Sequence, residues 1–171
     1  VTITGHTNTT NYDGEEHSVS GYEVEISNPL YTEADFDFTP AATVTLINNV
    51  IAAKGTDAGV YYMGLHEDQF ANHNSNFSSV IFHVTDGHLK IDPAAITIKA
   101  DGKSKTYDND ATTDPALTAT VTGAPANGVA PVYSLSRTAG QDVNDYTITV
   151  TAEATSRPEY RGAAEEGVAT S

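Results

Sequence analysis

A seven-residue pattern, Gly-x-Asp-x-x-x-Tyr, occurs twice in this chain, at Gly55 to Tyr61 and at Gly140 to Tyr146, and each copy opens a strand-like run. Self-similarity of this kind limits the fold to repeated modules, each of which has to bury a core of its own. Other marks keep the same order around the pattern. Val1-Thr2-Ile3-Thr4 leads to Asn11-Tyr12-Asp13-Gly14, as Ile96-Thr97-Ile98-Lys99 leads to Thr106-Tyr107-Asp108-Asn109. Asn76-Phe77 through Asp86-Gly87-His88-Leu89 parallels Glu159-Tyr160 through Glu166-Gly167-Val168. The 171 residues therefore divide into modules 1–93 and 94–171, cut within Asp92-Pro93-Ala94-Ala95. So short a link leaves little swing, and a stiff end-to-end pair is expected. Tyr12 to Gly55 is 43 residues and Tyr107 to Gly140 is 33, which places a ten-residue insertion in the first module, within 28–53.

Composition sets the type of element. Thr (24), Val (14), Tyr (9) and Ile (9) dominate while Leu appears six times, and residues of that kind suit a pleated surface better than a helix. Alternation with period two at Thr2 to Thr4, Tyr22 to Ile26, Ala119 to Thr122 and Tyr146 to Thr151 reads as strand. The expected fold is all-β: two tandem, small antiparallel β-sandwich (Ig-like) modules of six or seven strands each. The alternative is a pair of β-grasp-like modules with one short helix, for which Leu65 to Phe70 supplies the helical turn.

Charge narrows the partners. Eight Lys+Arg against 23 Asp+Glu leave a net charge of -15, which repels phosphate backbones and anionic lipid, so neither nucleic acid nor membrane is an expected partner. Most of the excess lies in residues 1–93, where two Lys face 13 acids. No cysteine is present, hence no disulfide framework and no thiolate chemistry. No apolar run reaches the roughly 20 residues of a membrane helix. The chain opens at Val1 without an initiator Met or signal segment and reads as an excised fragment.

The second module resembles the MBG repeat of bacterial surface adhesins. The likeness lies in Ile96 to Ala100, Ser104-Lys105-Thr106-Tyr107, Asp114-Pro115-Ala116-Leu117-Thr118 to Gly123, Ser134 to Arg137, and Ala139-Gly140-Gln141-Asp142-Val143 with Tyr146. The first module is similar, as a diverged relative, to the YDG-type repeats of the same proteins, through Tyr12-Asp13-Gly14 and Gly55 to Tyr61. The resemblance implies an extracellular β repeat of a bacterial cell-surface protein, attached to the cell wall through sequence outside this chain, and it carries over no catalytic residue. Two departures stand out. Asn109 occupies a turn position where glycine-like chemistry is usual, and Gly167 to Ser171 lacks the usual apolar closing strand.

The residues of the repeated pattern, Tyr12, Gly55, Asp57, Tyr61, Tyr107, Gly140, Asp142 and Tyr146, are read as structural. Glycine would supply a positive φ, aspartate would bond nearby backbone N–H groups, and the tyrosine would enter the core with its hydroxyl paired. Catalytic and metal assignments are none, and no cofactor is expected. All six histidines lie in the first module, but their spacing makes no zinc set. Asp108-Asn109-Asp110 with Asp114, and Asp13-Gly14-Glu15-Glu16, resemble acidic calcium turns without the EF-hand spacing. Lys99 is the lysine to examine for a side-chain amide crosslink. Tyr31, Phe36 and Phe38, set among Glu33, Asp35 and Asp37, are the candidates for a recognition loop, although Asp35 to Phe38 also alternates like a core strand. The expected function is a non-enzymatic stalk or spacer segment that stacks with neighbouring repeats. The alternative is a module that contacts a host glycan, mucin or protein.

Overall fold

The structure, a computed structural model, describes residues 1–152 and 158–170. Residues 153–157 and 171, which fall in the expected second module, lie outside the described residues. Contacts group the chain into two compact units, Val1–Asn11 with Glu15–Asp92 and Tyr12–Gly14 with Pro93–Ser171. The first of these is called the first module below and the second the second module.

Both are built from strands, as the β-branched composition requires. The second module contains β12 (Ala94–Ala100), β13 (Lys103–Ser104), β14 (Ala119–Thr122), β15 (Tyr133–Arg137), β16 (Asp145–Ala152), β17 (Tyr160–Glu165) and β18 (Gly167–Thr170). They form two sheets, in the orders β14-β12-β17 and β13-β18-β16-β15. β16 packs across against β12 and β17, so the two sheets face each other as a sandwich. Alternation places Ile96, Ile98, Ile148 and Val150 in the buried layer between them. The closing strand does form at Gly167–Thr170, with Ala169 buried, although its sequence is poor in large apolar residues.

The first module contains β1 (Thr2–Gly5), β2 (Thr7–Asn11), β3 (His17–Ser20), β4 (Tyr22–Glu25), β5 (Phe36–Phe38), β6 (Thr45–Ile47), β7 (Val50–Gly55), β8 (Gly59–Tyr62), β9 (Phe70–Asn72), β10 (His83–Thr85) and β11 (His88–Asp92). The count exceeds the expected six or seven because long strands are interrupted, β1/β2 at His6, β3/β4 at Gly21 and β10/β11 at Asp86-Gly87, and because β5 and β6 form within residues 28–53. The sheets run β10-β1-β4, β2-β11-β8, β3-β7-β6 and β5-β9. Ile3, Ile51, Met63, Leu89 and Ile91 fill the centre. Among the described residues helical structure is limited to 3₁₀ turns, at Glu33–Asp35, Glu67–Gln69 and Ala111–Thr113, and the second of these coincides with the expected turn in Leu65 to Phe70.

The all-β fold agrees with the sequence; the pairing within it is mixed instead of purely antiparallel. In each module the opening strand runs parallel to the closing strand. β1 pairs β10 over three residues and β2 pairs β11 over five, while β12 pairs β17 over six and β13 pairs β18 over two. Antiparallel partners flank these pairs, β4 on β1 and β8 on β11 in the first module, β14 on β12 and β16 on β18 in the second. Opening and closing strands thus step together from one sheet to the other. The step demands close backbone approach: a Cβ on Gly5 would overlap the Gly87 backbone, and one on Gly167 would overlap the backbone of Ala100.

The modules part company at the strand before the Gly-x-Asp-x-x-x-Tyr element. β15 hairpins onto β16, but its counterpart β7 pairs β3 and β6 instead of β8. Residues 28–53, where the insertion is expected, contain β5 and β6, and β5 pairs β9 from the other side of the element. The result is an aromatic extension in which Phe36 meets Phe70 and Phe82, Phe38 stacks on Phe70, and Tyr31 stacks on Phe36 and meets Phe77 edge-on. All five phenylalanines of the chain sit in it.

Candidate functional site

The repeated element forms the same device in both modules. Tyr61 Oη donates to the backbone carbonyl of Asp57 at 2.9 Å, and Tyr146 Oη to that of Asp142 at 2.9 Å. A tyrosine that starts a strand and bonds back to the loop before it is the arrangement of a tyrosine corner. The ring of each lies on the glycine of its own element, so that a Cβ on Gly55 would overlap Tyr61 and one on Gly140 would overlap Tyr146. Gly55 is not among the positive-φ glycines, whereas Gly140 has φ +154. The shared requirement is therefore space for the ring, not a left-handed backbone. The aspartate contributes its carbonyl where the sequence suggested its carboxylate.

Tyr146 is 7% exposed and Tyr61 half-buried. Tyr12 is also buried, clustered with the second module, where its ring meets Tyr160 edge-on and its hydroxyl accepts the N–H of Val129 at 2.9 Å. Tyr107 departs from the expectation of a buried, paired tyrosine. It is 49% exposed, because it follows β13 in a loop whose inward position is taken by Lys105. Asn109 in that loop has φ +53, which is the glycine-like turn conformation at this position.

A polar network, of which the sequence showed only the acidic turn Asp108-Asn109-Asp110 with Asp114, surrounds the second corner. Lys105 Nζ lies 2.7 Å from Asp114 Oδ1 and 2.9 Å from Asp108 Oδ1, with its side chain only 13% exposed. Arg137 donates to Asp114 at 2.9 Å and to the Gly140 carbonyl at 3.1 Å, and its guanidinium sits 4.8 Å above the Tyr146 ring centroid. Thr113 Oγ1 donates to Asp108, Asp110 caps the Thr112 N–H, and Gln141 donates to Asp114. The bond to Thr113, then that to Lys105, hold the Asp108 carboxyl at about 2. Lys105 is pushed up by its bond to Asp114 and by Asp108, and Asp114 is pulled down by the same contact and by Gln141. Lysine and acids are thus held as ions by each other. The oxygens of Asp108, Asp110 and Asp114, which suggested a calcium turn, are engaged with Lys105, Arg137, Thr112, Thr113 and Gln141. Among the described residues no three His, Asp or Glu side chains converge as a metal set. Lys99, the lysine singled out for a crosslink, is in solvent, 3.8 Å from Glu165 and 64% exposed.

The aromatic recognition candidates divide. Tyr31 is 5% and Phe36 8% exposed, both within the extension's core, and Phe38 is half-buried between Tyr22 and Phe70. Tyr31 Oη donates to Asn72 Oδ1 at 2.9 Å and to the Asp35 carbonyl, and burial pushes the Tyr31 hydroxyl up. Two open grooves border the extension. One, of about 550 Å³, is lined by Tyr22, Glu23, Glu33, Phe38 and Val50, the other, of about 500 Å³, by Thr2, Glu25, Tyr31, Phe77 and His83. Neither has a wall residue that is buried and unpaired among the described residues. Sequence reading also missed Gln69, which is buried and bonded at both ends, to the Gly64 carbonyl and the His66 N–H, and Asp86, whose carboxylate receives the Gly64 and Leu65 N–H groups.

Residues 96–170 match the family model of the MBG domain (YGX type). The match runs from β12 to β18 and bears out the resemblance read in the second module. No curated protein and no solved structure matches the chain. Among the described residues no helix is long and apolar enough to cross a membrane.

Two outcomes follow from this geometry. Tyr146→Phe removes one hydrogen bond and should cost about 1 kcal/mol, and Gly140→Ala should cost about 1–3 kcal/mol by crowding the ring. Asp142→Ala, which keeps the carbonyl, should stay within about 0.5 kcal/mol; urea denaturation of the three variants checks the ranking. The second outcome concerns acid. Because the Asp108 pKa is depressed in the folded state, the stabilisation it provides is complete above its ordinary value of 3.8 and is lost as pH falls through about 2. Carboxyl NMR titration should place its midpoint there, and Thr113→Val should raise it.

Proposed function

We propose that this chain is a non-enzymatic stalk segment of a bacterial cell-surface adhesin, located outside the cell, which spaces a distal binding domain from the wall and carries tension. The observation that carries the reading is the parallel pairing of first and last strands in both modules. Tension enters a module at the start of its first strand and leaves at the end of its last. With those two strands parallel and adjacent, the force runs along the pair and loads all of its hydrogen bonds at once. An antiparallel terminal pair would instead open one bond at a time from its end.

Other features agree with a spacer. Pro93 alone separates β11 from β12, and proline fixes one backbone angle of that link. Strands of six to eight residues, at about 3.3 Å per residue, give a module a length of about 2–3 nm, so reach grows with copy number. The acidic surface resists association with crowded neighbours. The MBG match over 96–170 belongs with a repeat of surface proteins. A second reading, contact with a host glycan or protein through the first module, is favoured by the aromatic extension and its two grooves.

One experiment separates the two readings. One, two and three copies of the chain are placed between a surface anchor and a fluorescent binding reporter, and the reporter's height is measured. The spacer reading expects equal increments per copy and no specific signal for the chain on glycan and mucin arrays. Saturable array binding that disappears on deleting 28–53, with no height increment, would overturn it.

A further inference from the structure

His73 follows β9 and sits against the segment that leads into β5. Its backbone N–H donates to the Asp35 carbonyl at 3.0 Å, which closes the β5-β9 pair. Its imidazole faces two acceptors: Nδ1 is 3.0 Å from Asp37 Oδ2, and Nε2 is 2.7 Å from the Ala34 carbonyl oxygen. A neutral imidazole has one N–H and one lone pair, so either tautomer turns a lone pair toward an oxygen. Only the imidazolium donates to both.

The charged groups around the ring act in the same direction. Asp37 on β5 is in contact, and Asp35 adds negative field. Thr32 bonds to the Asp35 backbone-facing carboxylate through its N–H at 2.7 Å, and Asn74 donates to it at 2.9 Å, which keeps it ionised. His6 comes nearest to a similar arrangement, with Nδ1 at 2.7 Å from the Ser20 carbonyl, but its second nitrogen is 3.7 Å from Glu23.

We propose that His73 is a protonation-operated clip, which fastens the aromatic extension of the first module when the imidazole is charged and loosens the β5-β9 pair when it is neutral. The bond to Asp37, then that to the Ala34 carbonyl, raise the folded-state pKa above 6.5. A raised value means that the contribution is complete below 6.5 and is lost as pH rises through the folded-state value. The ring is half exposed, so the consequence is local opening and not global unfolding. Loosening brings Tyr31 and Phe36, otherwise buried, toward solvent.

The test is NMR on the full chain from mildly acidic to alkaline pH, reading the His73 ring titration and the exchange protection of the His73 and Thr39 amides, which bond to the Asp35 and Gln69 carbonyls at the two ends of the β5-β9 pair, corrected for intrinsic pH dependence. The expected result is a ring pKa above 6.5, with protection in β5-β9 falling several-fold across it while that in β1-β4 holds. His73→Gln should abolish the fall, and Asp37→Asn should lower the ring pKa. A ring that titrates at or below 6.5, or a fall that persists unchanged in His73→Gln, would overturn the proposal. Should His73→Gln fail to fold, Asp37→Asn with an unmoved ring pKa would overturn it equally.

Discussion

The parallel contact between a module's first and last strands is the interaction on which everything else in that module rests. It is the strand pairing of greatest sequence separation, joining Thr2 to His83 in one module and Ala94 to Tyr160 in the other. Ile3, Leu89 and Ile91, and in the second module Ile96 and Ile98, are buried along these same strands. Losing the pair would therefore expose the core and remove the ladder together. Such long-range pairing carries the largest loop-closure entropy of any strand pairing in its module.

The tyrosine corner serves that contact from beside it. Tyr146 is the second residue of β16, which pairs the closing strand β18, and Tyr61 lies in β8, which pairs the closing strand β11. Anchoring each ring over a glycine and each hydroxyl on a loop carbonyl fixes where the strand begins. Register matters here because a slip of one residue would turn Ile148 and Val150 outward. In the second module the corner is reinforced by Arg137 over the ring and by the Lys105-Asp114 pair. The first module carries an aromatic extension, held by Tyr31, Asn72, Asn74 and Asp35.

How much of this could be read from the residues follows from how local each cause is. Strand content was legible because Thr, Val and Ile declare it residue by residue. The corner was legible as a pattern, since its seven residues are contiguous, but its reason was misread: the glycine makes room for a ring that lies six positions away, which spacing alone does not reveal. Parallel terminal pairing was not legible, since alternation in Ile96 to Ala100 is the same whichever direction its partner runs. Tyr107 and Lys105 exchange the expected inside and outside places for a similar reason. Period two shows which residues share a face, and at a strand end such as Lys103–Ser104 it no longer says which side chain turns in. The extension was half legible: Asp35 to Phe38 alternates as the strand β5 does, but its partner β9 lies beyond the repeated element and is only three residues long.

On the proposed function, tension along the chain meets a sheared pair of parallel strands. Single-molecule force spectroscopy on the second module of the intact chain tests it most directly, through handles at the two ends and, separately, through cysteines at Ser134 and Thr151. Those two residues are paired across β15 and β16, so pulling on them unzips the hairpin, and the chain has no other cysteine to interfere. The expected result is a clearly higher unfolding force through the ends than across the hairpin. Equal forces, or a lower force through the ends, would contradict it.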